Sequence, residues 1–336
     1  MGALSAAAAP LVTCATPLGT AGNGARAQLV FAADGNIQSM AADGSGRRAL
    51  TKVPQGALAK DPAWSRDGAR IAYAYTPPLP AVRGPGGLLP LPVTGIYVMA
   101  PDGTGQAVSV PHDRPGIGYE NPVWADDGKS FVVTYTELLM ESNVVKDQVV
   151  EVARVTPGQA RRQTLVPNGA FPALSADGRQ LACIVTSRAG QALVVAGADG
   201  KDLRTLVPAG QLDSLSSPRF SPDGKQIAFS AAAPPAAAPT PVPPRSDLVG
   251  LGSLFAPRAV QAHGLPMDVF LIPVEGGAAR RLTQLVEDNP APAWSPDGRQ
   301  IVILAGGGIH RLQLASLELT LVDSKGGHGS IDWRAA

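Results

Sequence analysis

Pro292-Ala293-Trp294-Ser295-Pro296-Asp297-Gly298 decides the fold, because nearly the same stretch recurs along the chain. The other copies are Pro62-Ala63-Trp64-Ser65-Arg66-Asp67-Gly68, Pro122-Val123-Trp124-Ala125-Asp126-Asp127-Gly128, Pro172-Ala173-Leu174-Ser175-Ala176-Asp177-Gly178 and Pro218-Arg219-Phe220-Ser221-Pro222-Asp223-Gly224. A last fragment, Ile331-Asp332-Trp333, stops before its turn. A unit repeated on this scale signals a repeat architecture.

Around the copy at 292, Ala293 to Ser295 reads as a short strand and Ser295-Pro296-Asp297-Gly298 as a turn. Pro presets φ, Asp bonds its own backbone and Gly accepts positive φ. Ile301 to Leu304 is then an apolar strand too short for a helix, and 309–314 and 317–322 supply two more. The other copies repeat this plan, with second strands at 71–75, 131–135, 181–185 and 227–230. Blade five is expected to end in a fourth strand over 280–283. Four antiparallel strands per repeat make a propeller blade, which needs a neighbour on each side to bury both faces. The tryptophan of the motif, replaced by Leu174 and Phe220 in two copies, is expected to fill the space between blades.

The ends of the chain complete the count. Strands at 28–31, 37–40 and 47–50 lack a first strand, and Ile331 to Arg334 is a first strand with nothing after it. Together they predict a split blade that closes the ring and removes exposed edges. The expected fold is therefore all-β, a six-bladed propeller of four-stranded antiparallel blades. It occupies 26–336 as one domain, after a leader over 1–25.

Composition fits this. Hydrophobic residues form 45% of 336 and charged residues 16%, while Gly 38 and Pro 32 suit a fold with many tight turns. A net charge of +1 with no basic run speaks against nucleic-acid binding, and no stretch reaches the roughly 20 apolar residues that span a bilayer. Leu11-Val12-Thr13-Cys14 is similar to a bacterial lipoprotein box within a small-apolar leader that has no basic residue before Arg26. Cys14 is thus the candidate lipid anchor, and a periplasmic or extracytoplasmic monomer is expected. Cys183, in an apolar run, reads as a small buried hydrophobe.

The Pro-x-Trp-Ser-x-Asp-Gly motif, recurring in phase, resembles the WD-like repeats of TolB-type propellers over residues 26 to 336. Similar blades occur in prolyl-oligopeptidase-like peptidases. The leader is too short for the N-terminal domain of TolB, and no Gly-x-Ser-x-Gly elbow of a hydrolase domain is present. The resemblance implies a scaffold, and scaffolds host unrelated functions.

Catalytic and metal motifs are not found, and no cofactor is expected. His112, His263, His310 and His328 have no metal-ligand spacing, and the Asp-Gly turns lack the calcium-loop pattern. His328 precedes the first strand of the closing blade, near one mouth of the channel. Six-bladed lactonases and esterases hold calcium at that mouth. The pairs assigned there are Lys60-Asp61, Glu120-Asn121, Ala170-Phe171, Ser216-Ser217, Asp288-Asn289 and Gly329-Ser330. Asp61, Glu120 and Asp288 are therefore the carboxylates available to a metal-dependent hydrolase, the alternative to a binding role. Regulation of a separately encoded peptidase is a further alternative.

The repeats break between second and third strands. Blade two inserts 77–82 and 86–92, including Leu88 and Leu89, blade three inserts Glu137 to Glu141, and blade five inserts 231–266. The last begins with an Ala/Pro tract and continues to Leu248, Leu251 and Phe255, which could line one side of a short helix. All three inserts project from one face, with those of blades two and five on opposite sides of the ring. The reading is a non-enzymatic protein-binding or scaffold propeller of the bacterial envelope, its partner docking on the insert-bearing face.

Overall fold

The computed structural model of the protein describes residues 29–78, 82–84, 87–89, 93–112, 114–141, 144–159, 161–232 and 266–334. All regular structure in these residues is β-strand. Blade one joins Leu29–Ala33, Asn36–Met40 and Arg48–Ala49 to Ile331–Trp333, which pairs antiparallel with the first of them. Blades four, five and six are separate four-stranded sheets that begin at Gly169–Leu174, Asp213–Phe220 and Ala291–Trp294.

Blades two and three begin at Leu58–Trp64 and Ile117–Trp124. They are joined into one eight-stranded sheet by a short parallel contact, Ile117↔Val93 and Gly118↔Thr94. By hydrogen bonding, four blades therefore stand alone and two are fused.

Packing divides the ring more evenly. Six clusters of buried apolar side chains each lie between one blade and the next. Strand alternation explains this, because successive side chains point to opposite faces. Leu29, Phe31 and Ala33 pack against blade six, whereas Val30 and Ala32 pack against blade two. Trp64, Trp124, Trp294 and Phe220 each lean on the preceding blade. Two of the tryptophans also tie blades together, Trp124 Nε1 donating to the Ala63 carbonyl at 3.2 Å and Trp294 Nε1 to the Arg219 carbonyl at 3.0 Å. The split blade closes the ring through Asp332, whose Oδ2 accepts the Trp64 backbone N–H at 2.7 Å.

The motif turns are built from one set of bonds. Ser295 Oγ donates to Asp297 Oδ1 at 2.6 Å, and Asp297 Oδ1 accepts the Arg299 N–H at 3.0 Å. The same serine–aspartate pair forms at Ser65, Ser175 and Ser221. Gly68, Gly128, Gly178, Gly224 and Gly298 close these turns at φ between 62° and 72°, where a Cβ would be strained. Blade three has Ala125 at the serine position, and Ser130 on the far side of its turn bonds Asp127 instead.

Two sequence expectations change. Glu137 to Glu141 is not a loop but the end of a continuous strand, Phe131–Glu141, which pairs with Val144–Val155. The fourth strand of blade five is Arg280–Arg281 and ends before Thr283. Buried Asp268 captures Thr283 Oγ1 at 2.8 Å and the Leu285 N–H at 2.6 Å, which pulls the chain off the ladder.

Candidate functional site

The six first strands surround the ring axis, so their side chains set its chemistry. Four of them carry a bulge three residues before the tryptophan position. Asp61, Asn121, Phe171 and Ser217 sit there at φ between 50° and 54° for three of them and 49° for Asn121. Register skips in the ladder at the same points, from Lys60 to Ala63 and from Glu120 to Val123. Asn and Asp tolerate this conformation, whereas Phe171 does so at a cost in strain. Neighbouring blades hold these bulges, as Phe171 N donates to Thr134 Oγ1 at 2.9 Å and Asn121 N to Asp61 Oδ2 at 3.4 Å.

The register corrects one assignment. Counting back from Trp294, the residue matching Asp61 is Ala291, and the positive φ of blade six lies two residues earlier, at Asn289. Asp288-Asn289 is therefore not the counterpart of Lys60-Asp61. Its tract carries Pro290 where the other copies have Lys60, Glu120, Ala170 and Ser216, and the positive φ falls one residue before this proline, which cannot donate to a ladder. Asn289 Oδ1 nonetheless reaches back to accept Ser216 Oγ at 2.7 Å.

Of the carboxylates singled out by sequence, Asp61 and Glu120 come together and Asp288 does not join them in a metal-holding group. Lys60 Nζ lies 2.7 Å from Glu120 Oε1, bridging blades two and three. Burial opposes the charge on Lys60, but Asp61 and Glu120 together hold its ammonium above the usual lysine range. Burial pushes the Asp61 carboxyl above the ordinary range, partly offset by Lys60, and Glu120 adds to the rise. Asp288 is half-buried, and His328 is exposed beside Gly306. Among the described residues no group of three or more His, Cys, Asp or Glu is placed to hold a metal. Leu88 lies opposite Arg83, and Leu89 opposite Val82, in a short hairpin inserted in blade two. Leu248, Leu251, Phe255, His263 and Cys14 lie outside the described residues.

The cavity on the ring axis lies towards the other end of the first strands. It has a volume of about 480 Å³ and is lined by residues from Asn121 and Ser330 down to the motif turns. Antiparallel connectivity puts those turns on the face opposite the insert-bearing loops. All six residues that precede the tryptophan position line it: Ala63, Val123, Ala173, Arg219, Ala293 and Asp332. Four are small and apolar, and two carry opposite charge.

Arg219 is half-buried, and one of its N–H groups donates to the Pro218 carbonyl at 3.0 Å. Burial pulls its guanidinium below the usual range, opposed by Asp332 and Asp61. Burial likewise raises the Asp332 carboxyl, against the Trp64 N–H and Arg219. Sequence reasoning passed over this pair. The signal was one column of the repeat, in which the other copies read Ala or Val.

No family model matches the chain, and no curated protein is significantly similar to it. Solved structures are similar in shape. TolB from Acinetobacter baumannii aligns over 91% of this chain with a TM-score of 0.62 and 15% identity, and the chain spans 66% of that structure. The likeness is one of fold. A structure of a nidogen/laminin complex aligns over 91% of this chain and 97% of its own, also at TM-score 0.62, with 12% identity. A putative TolB from Agrobacterium tumefaciens aligns over 94% and 100%, at TM-score 0.55 and 13% identity. The chain thus has the propeller architecture that these structures share. No helix among its described residues is long and apolar enough to cross a membrane.

Proposed function

We propose that the protein is a non-catalytic, protein-binding propeller of the bacterial envelope, and that its partner docks on the insert-bearing face over blades two and three. The observation that carries this is the blade-three ribbon. Beyond the Glu137↔Val149 pair, the two long strands of blade three continue to Glu141↔Val144. The neighbouring strands have stopped by then, since Ile117 pairs with Glu137 and the fourth strand reaches no further than Glu151. Leu139 and Met140 are 41% and 36% exposed on this ribbon. A two-stranded ribbon with open edges and apolar side chains is stabilised by packing against something else.

The fused sheet supplies a rigid base for it, and the blade-two hairpin Val82–Gly84 with Gly87–Leu89 belongs to the same sector. Likeness to TolB supports a periplasmic setting, and the lipoprotein-like Cys14 supports an anchor there. A photo-cross-linking residue at Leu139 or Met140 tests the reading in cells. It should yield one discrete adduct that the same residue at exposed Leu203, on blade four, does not give. Identical adduct patterns at both positions would overturn it.

A further inference from the structure

We propose that the motif end of the channel is a binding site for a small monoanionic carboxylate with a flat apolar body, held by Arg219. The site is separate from the protein-docking face, at the other end of the first strands. Its cavity, about 480 Å³, is large enough for a small organic acid. Three arginines line it, Arg66, Arg219 and Arg334, against one carboxylate, Asp332. Asp332 is already committed, because its two oxygens accept the backbone N–H groups of Trp64 at 2.7 Å and Trp333 at 2.9 Å.

Arg219 is not committed in that way. Among the described residues it forms no salt bridge, although Asp332 and Asp61 act on its charge from farther away; it lines the cavity, and its hydrogen bond to the Pro218 carbonyl uses a single N–H, on Nη1. A guanidinium binds a carboxylate through two parallel N–H bonds, and partial burial strengthens the pair relative to water. The indoles at the lining favour a flat apolar body over a sugar or a hydrated ion. The small apolar side chains of Ala63, Val123, Ala173 and Ala293 in the lining disfavour a second, strongly hydrated negative charge, which selects a monoanion over a phosphate dianion.

Arg219 lies near the end of the strand Asp213–Phe220, just before the motif turn at Ser221 and Pro222, and Trp64, Trp124, Trp294 and Trp333 line the same cavity.

The test is titration of the intact protein with benzoate, inorganic phosphate and benzylamine, followed by the tryptophan indole N–H resonances. Benzoate should saturate and shift the indole signals, phosphate should bind more weakly and benzylamine should not bind. Arg219→Ala should fold normally, because Ala63, Ala173 and Ala293 occupy the same ring position in three other blades. It should weaken benzoate by about tenfold or more. Equal benzoate affinity in Arg219→Ala, even if binding moves to Arg66 and Arg334, would overturn the assignment. So would failure of benzoate to saturate the wild-type protein, or preference for phosphate.

Discussion

The two ends of the ring are built on different principles. At the motif end the same serine–aspartate–glycine turn recurs from blade to blade, and where blade three loses its serine another serine takes up the aspartate. At the insert end blades one, four and six close with two-residue turns, between Ala33 and Asn36, Ser187 and Gly190, and Ala305 and Gly308, whereas the other three diverge. Blade two carries a hairpin, blade three a long ribbon and blade five an insert outside the described residues. Repetition marks what closure and packing demand, and divergence marks what a partner can read. The exception lies inside the repeated end, where Arg219 and Asp332 break a column of small apolar residues.

The largest expected effect comes from breaking closure. Removing Ile331 to Trp333 deletes a strand of blade one, the fully buried Ile331 and the Asp332 bond to Trp64. The loss should be about 5 kcal/mol and should appear as global destabilisation in thermal or denaturant unfolding. Fraying confined to blade one, with the rest melting as before, would mean that the other blades do not need the closing strand.

A smaller effect separates chemistry from position at the motif end. Ser295→Ala and Ser130→Ala should each cost about 1 kcal/mol, although they lie at different positions in their turns, because each removes a hydroxyl bonded to the turn aspartate. Ala125→Ser should change little, since Asp127 is already satisfied by Ser130. A large gain from Ala125→Ser, read from the denaturant midpoint, would show that the two arrangements are not equivalent.

The two classes of aspartate should also respond to pH with opposite sign. Asp67, Asp177, Asp223 and Asp297 are held below the ordinary carboxylate range, chiefly by the serine hydroxyl and then by a backbone N–H. Their contribution is present above the unfolded pKa of about 4 and is lost as pH falls through the lower folded values. Burial raises Asp61 and Asp332, so their contribution is full below about pH 4 and is lost as pH rises through the folded values. Asp297→Asn should therefore flatten the acid side of a stability–pH curve, whereas Asp61→Asn should change its slope above pH 4. Equal slopes in both variants would remove the distinction.

The fold was legible because its determinants are local and repeated. Pro-x-Trp-Ser-x-Asp-Gly encodes a strand end and its turn in seven residues, and the split blade follows from an unfinished copy at Ile331. The strand of blade five lost at Thr283 was not legible, since it depends on Asp268 from another strand. The ribbon of blade three was mistaken for a loop because a Glu-Leu-Leu-Met-Glu run has no strand alternation, and only pairing with Val144–Val155 extends it. Asp288 was misassigned to the channel mouth because Asp288-Asn289 stands two residues further from its motif than Lys60-Asp61 does, and an even count gives Pro290-Ala291. Arg219 was visible in the motif itself, yet its meaning needed the six first strands to be placed around one cavity.

The central claim is that the motif end and its blades form a self-sufficient ring on which the ribbon serves binding alone. Replacing residues 138–148 with Asn-Gly, which can turn tightly between the paired residues Glu137 and Val149, tests this most directly. With the photo-cross-linking residue placed at exposed Arg114, beside the ribbon and outside the replaced segment, the thermal midpoint should stay within the spread of surface variants while the adduct given by the intact ribbon disappears. Loss of cooperative unfolding, or full retention of the same adduct through the remaining face, would contradict it.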